Sequence, residues 1–184
     1  MSEELLVRYC SPTLAGIKTG SLFSCAAPDV AGLYKYIHRL DARLVRKGLR
    51  VIPLRVKNGR ALIYVYRPRM LLSDLTRDEA SRLLSERDYN TLCISDCLAK
   101  LMNRLCESDV FPHEIGLFLG YPPEDVCGFI ESRRPCKCVG VWKVYGDAEK
   151  ARKTFAKYKL CTEIYYKRFV MGVSVDKLTV NTSQ

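Results

Sequence analysis

Between positions 30 and 44 apolar residues recur at steps of three and four: Val30, Leu33, Ile37, Leu40 and Leu44, with charged and polar residues between them. That spacing predicts an amphipathic helix. Asp29 supplies its N-cap, and Lys47 followed by Gly48 its end. The pattern then changes. Residues 49–57 and 60–67 are rich in Val, Ile, Leu and Tyr and flank Asn58-Gly59, the two-residue turn of a type I′ hairpin. In the second arm Ala61, Ile63 and Val65 alternate with Leu62, Tyr64 and Tyr66, so both faces are apolar and the strand is expected to be central. Pro53 marks the first arm as an edge or bulged strand.

Elsewhere the chain reads mostly helical. Residues 2–9 form a short helix, and Ser11-Pro12 reads as the start of another turn that ends by Gly16 or Gly20. A strand is expected at 21–24. Thr76-x-x-Glu79 has the form of a capping box for a helix through Arg87, and 92–106 carries Leu98, Leu101 and Leu105 on one side. Residues 111–130 predict a helix opened by Pro112-His113-Glu114 and broken at Gly120-Tyr121-Pro122-Pro123. A second helix restarts at Glu124-Asp125 and runs to Arg134. A strand at 139–145 precedes a helix capped by Gly146-Asp147, with Ala148, Ala151, Phe155 and Tyr158 along its inner side. A further helix at 161–170 breaks at Gly172; Ser174 caps a last turn with Leu178, and 181–184 is tail. The sum is a single globular α+β domain over 1–184. Its small mixed sheet has about four strands (21–24, 49–56, 60–66, 139–145), with the hairpin at its centre and several helices packed on it.

Composition narrows the setting. At 184 residues with 48% hydrophobic and 27% charged residues, the chain has the makings of a folded core and is not a disordered segment. The opening MSEELLVRYC carries two acids and no apolar signal core, and no stretch approaches ~20 consecutive apolar residues. A cytoplasmic protein without membrane association is expected. Nine cysteines are then free thiols, most of them serving as small buried hydrophobes. The net charge of +10 gathers at Arg39/Arg43/Arg46/Lys47/Arg50, at Arg133/Arg134/Lys137 and along 150–168, and favours an anionic partner.

Candidate chemistry lies in two stretches. The 10–21 turn sets Lys18 between two glycines among the hydroxyls of Ser11, Thr13, Thr19 and Ser21. Free amides plus a lysine can hold a phosphate or carboxylate there, although the P-loop spacing is absent. In the 111–130 stretch, His113 is expected at a helix start, whose positive end would disfavour the protonated form and let the imidazole serve as general base, or as donor and acceptor to an anion. It is not part of an HExxH motif, since Leu117 stands where the second histidine would. The leading expectation is a small-molecule or anion site, with or without catalysis, made by this turn and His113. Cys10 or Cys138 would act as nucleophile, and Ser11, Thr13, Lys18, Ser21 and Cys161 would contact the ligand.

Two alternatives stay open. One is a cysteine-based redox or metal protein: Cys93/Cys97 are one helical turn apart, and Cys136/Cys138 share a strand face, with Cys10, His113, Cys127 and Cys161 as further donors. The spacing assigns no metal set and no cofactor. The other is a non-catalytic nucleic-acid or protein-binding module. Its helix–turn–helix-like segment, however, would present Glu124 and Asp125 to phosphates.

Taken together, CSPTLAGIKTGSLF, FPHEIGLFLGYPPEDVCGFI, CKCVGVWKVYGDAEKA and CTEIYY followed by GVSVDKLT resemble the clostridial-type domain-of-unknown-function family 3793 over nearly the whole chain. The resemblance implies a cytosolic protein of anaerobic bacteria and transfers no catalytic residue.

Overall fold

The computed structural model describes residues 1–107, 110–131 and 135–182. Arg133 and Arg134 of the basic cluster, the far end of the expected 124–134 helix and positions 183–184 of the tail lie outside the described residues. The chain is α+β. Its elements are α1 (Glu3–Leu14), β1 (Gly20–Ala26), α2 (Val30–Leu44), β2 (Arg50–Lys57), β3 (Arg60–Tyr66), α3 (Pro68–Leu75), α4 (Asp78–Ser85), α5 (Ile94–Glu107), α6 (Ile115–Phe118), α7 (Pro123–Glu131), β4 (Cys138–Val139), β5 (Lys143–Val144), α8 (Ala148–Val170) and α9 (Val175–Leu178). They divide into two compact units, one of residues 1–69 and 160–184 and the other of residues 70–159.

The first unit is built on an antiparallel sheet of order β1-β3-β2. The hairpin forms as its pattern dictates. Asn58 and Gly59 both have positive φ (53° and 68°), β3 is central, and edge strand β2 carries an irregularity between Pro53 and Arg55. Leu33, Ile37, Leu40 and Leu44 of α2 are buried, and α2 packs on β2. Asp29 caps α2 by accepting from the Gly32 amide at 2.9 Å. A single 3₁₀ turn, Val45–Lys47, leads into a left-handed Gly48. Ala61, Ile63 and Val65 join this core with Leu6, Val7, Cys10 and Leu14 of α1 and Val175 and Leu178 of α9. Tyr64 and Tyr66, of the alternate set, stack at 4.8 Å.

Ser11-Pro12 does not open a helix. α1 runs unbroken from a Ser2 cap through Leu14 with Pro12 in its last turn, because the buried series Leu6, Val7, Cys10, Leu14 continues across the proline. Ser11 Oγ instead donates to the Val7 carbonyl at 2.5 Å. Here burial outweighs a proline whose missing donor costs least near a helix end.

Arg67 fastens the end of this unit to its beginning. Its side chain is 1% exposed and uses all five of its N–H donors. Nε donates to the Thr13 carbonyl (2.7 Å), Nη1 to Lys47 O (3.2 Å) and Thr182 Oγ1 (2.6 Å), and Nη2 to Leu14 O (2.6 Å) and Val180 O (2.9 Å). The Val180 amide returns a bond to Leu14 O at 3.0 Å. Arg43 pairs with Glu3 and Asp176 nearby.

In the second unit the 139–145 segment does not join the main sheet. It folds as the two-residue ladder β4–β5, with Cys138 opposite Val144 and Val139 opposite Lys143. The Thr76 box also fails to form: Thr76 Oγ1 donates back to Leu72 O at 2.8 Å, and α4 starts at Asp78 with no side-chain cap. α8 is one helix where two were expected. Its residues 148–159 belong to the second unit and 160–170 to the first. Asp147 caps it through the Glu149 and Lys150 amides, both at 3.0 Å.

Candidate functional site

The richest site lies within the second unit, on the 111–143 stretch. Phe111 and His113 come from the segment before α6, Ile115 and Gly116 from α6, Tyr121 from the corner after it, Val126 and Phe129 from α7, and Trp142 and Lys143 from the β4–β5 hairpin. With Asp125 they line a cavity of about 290 Å³, at the lower end of the ~300–1,000 Å³ usual for ligand pockets. Its walls are aromatic. The His113 ring meets Phe129 edge-on at 4.8 Å, Tyr121 stacks on Trp142 at 4.7 Å and 28°, and Phe155 braces Trp142 edge-on at 4.5 Å. Lys143 Nζ stands 5.2 Å from the centre of the Phe129 ring. Position 140 must be glycine for this arrangement, since a Cβ there would fall 2.2 Å from the Phe155 ring.

Two buried acids hold the frame. Asp125 is 3% exposed. Its Oδ2 accepts from Trp142 Nε1 at 2.7 Å, and its Oδ1 from the amides of Tyr145 (2.6 Å) and Gly146 (2.7 Å). One carboxylate on α7 thus sets both the tryptophan ring and the hairpin that carries it. Glu114, 2% exposed, accepts from Tyr89 Oη and from Arg104 Nε, each at 2.9 Å, which ties the segment preceding α6 to α5. Burial, reinforced by Glu114, raises the Tyr89 hydroxyl well above the ordinary tyrosine range and keeps it a donor.

His113 lies beside this cavity, but not on the helix end expected for it. It is exposed and precedes the four-residue α6. The amides of Ile115, Gly116 and Leu117 are already bound to the carbonyls of Pro112, His113 and Glu114 at 3.1, 3.2 and 3.0 Å. Cys138, half-buried, sits at the start of β4 in the same unit.

The remaining expected residues, Cys10, Ser11, Thr13, Lys18, Ser21 and Cys161, belong to the first unit. The amides expected to cradle an anion there are in use: Ala15 N donates to Ser11 O, Gly16 N to Thr13 O, and Ile17 N and Lys18 N to Pro12 O. Thr13 and Ser21 hydroxyls bond each other at 2.9 Å. Cys10 is fully buried, and burial pushes its thiol up to about 12 against the opposing pull of Lys18 and Ser21, which holds it protonated rather than nucleophilic. Cys161 is half-buried on α8. Among the described residues no three His, Cys, Asp or Glu side chains gather into a metal-holding group.

Lys18 itself is 8% exposed, and burial lowers its ammonium to about 8, with Cys10 opposing. Because the unfolded chain keeps this proton to higher pH than the fold does, Lys18 makes stability rise with pH between those two values. Set against Lys18→Met at each pH, which cancels the other titrating groups, the native chain should gain about 2–3 kcal/mol between roughly pH 7 and pH 10. Urea unfolding of both chains checks this. A difference that stays flat with pH would show that Lys18 keeps an ordinary proton affinity.

The aromatic partnership of Phe111, Tyr121, Phe129 and Trp142, and the role of Asp125, were not foreseen from the sequence. The signal available there was an aromatic residue in each of four short neighbouring segments, one of them the single tryptophan of the chain.

Fold and site together define an α+β protein with a small cavity walled by aromatic side chains. The chain belongs to the family described as protein of unknown function DUF3793, whose profile matches residues 6–179. No curated protein and no solved structure matches it.

Among the described residues, no helix is long and apolar enough to cross a membrane.

Proposed function

We propose that this protein binds a small, flat, largely apolar molecule in the cavity between α7 and the β4–β5 hairpin. One observation carries the reading: four aromatic side chains converge on a preformed space, and a buried carboxylate is spent on fixing the orientation of one of them. Rings held in this way provide stacking surface without ordering cost at the moment of binding. A buried acid with three donors in place is a poor candidate for proton transfer, so binding accounts for Asp125 better than catalysis does. His113, at the cavity wall, serves in this reading as donor or acceptor to the bound molecule.

Trp142 is the only tryptophan, so its indole N–H gives a single resonance and the intrinsic tryptophan fluorescence has one source. Titration with p-cresol, naphthalene and cinnamyl alcohol should shift that resonance and change the emission saturably with at least one of the three. Phe129→Ala should weaken that binding about ten-fold, the worth of one good stacking contact. If all three produce only a linear, non-saturating drift up to their solubility, the reading fails.

A further inference from the structure

The charge pattern around the cavity restricts its occupant, an inference that rests on the binding role proposed for the same cavity. Aromatic enclosures often recognise cations, because ring faces carry negative charge. Here that position is already filled from within: Lys143 places its ammonium over the Phe129 face. An incoming cation would meet a like charge at the best ring face. The acid that could have attracted it, Asp125, has both oxygens bound by N–H donors of Trp142, Tyr145 and Gly146. Lys143 is exposed, and the same Phe129 ring is met edge-on by the His113 imidazole, itself able to donate. The polar edge of an otherwise apolar space therefore offers donors and positive charge.

We infer that the ligand is an amphiphilic monoanion: a flat aromatic or conjugated body stacked among Phe129, Tyr121 and Trp142, with a carboxylate-type group at the Lys143 and His113 edge. The body contributes most of the burial, and the anion sets orientation and selects against neutral and cationic analogues of the same shape.

Three probes share one planar skeleton and differ chiefly in charge: cinnamate, cinnamyl alcohol and cinnamylamine. Titration calorimetry at low salt, with the Trp142 indole resonance as the site marker, should rank them in that order, the acid about ten-fold tighter than the alcohol. Lys143→Met should remove the advantage of cinnamate over the alcohol, and Lys143→Glu should favour the amine over the acid. If acid and alcohol bind the native chain equally, or the native ranking survives in Lys143→Met, the anion inference is overturned while the cavity remains a binding site. If the amine binds tightest, the cavity is a cation cage. If none of the three moves the indole resonance, this inference fails, and the panel of neutral probes decides separately whether the cavity reading falls with it. Lys143 is exposed, so its variants should fold as the native chain does; an unchanged far-ultraviolet circular dichroism spectrum and urea midpoint without ligand confirm it.

Discussion

Replacing Arg67 by methionine should cost the first unit about 3–5 kcal/mol. Methionine fills much of the space but supplies no donor, so the carbonyls of Thr13, Leu14, Lys47 and Val180 and the Thr182 hydroxyl lose the bonds that five N–H groups now provide. The gain from no longer burying a cation offsets part of this, since burial already weighs against the guanidinium. Arg67→Lys should recover less than half, because three donors on a flexible stem cannot serve five acceptors spread around a plane. Urea unfolding followed by far-ultraviolet circular dichroism measures the loss. Amide exchange localises it: the Val180 amide, bonded to Leu14 O, should lose protection first. A methionine variant within about 0.5 kcal/mol of the native chain would mean that these carbonyls find water easily.

Asp125→Ala should destabilise the second unit by about 3 kcal/mol, from three hydrogen bonds to one buried carboxylate. The isosteric Asp125→Asn is the sharper experiment. Its amide oxygen can replace Oδ1 for the Tyr145 and Gly146 amides, but its NH₂ then faces the Trp142 Nε1–H, donor against donor. The asparagine variant should therefore fold with a smaller loss, yet shift the Trp142 indole resonance and weaken binding of the aromatic probes. If Asp125→Asn leaves both resonance and binding untouched, the carboxylate is a hairpin anchor only and does not position the ring.

The two units were legible in the sequence to different degrees. Leu33, Ile37, Leu40 and Leu44 repeat on one helical face with a cap at each end, and Asn58-Gly59 fixes a hairpin by its own backbone preferences, so α2, β2 and β3 obey local rules. Ser11-Pro12 misled because a serine–proline pair is a reliable start signal only where nothing longer-ranged opposes it; the buried face of α1 opposes it. The 139–145 stretch alternates like a full strand, but Asp125, on α7, takes the Tyr145 and Gly146 amides at its end and leaves a two-residue ladder. The cavity escaped for a related reason. Phe111, Tyr121, Phe129 and Trp142 lie in four separate segments, and only the packing of the second unit turns them toward one space. His113 stood out because histidine is rare in this chain, and it lines the cavity, although the helix-end argument attached to it does not hold.

The first unit is assembled from two stretches, 1–69 and 160–184, whereas the second is contiguous. A ribosome releases 70–159 in one run, and that segment holds every residue of the aromatic cavity. The sheet of the first unit emerges earlier, but α9 and the Val180 and Thr182 acceptors of Arg67 arrive only afterwards. Order of synthesis thus runs against order of completion: the part begun first must wait, with Arg67 short of two of its five acceptors, for the part made last.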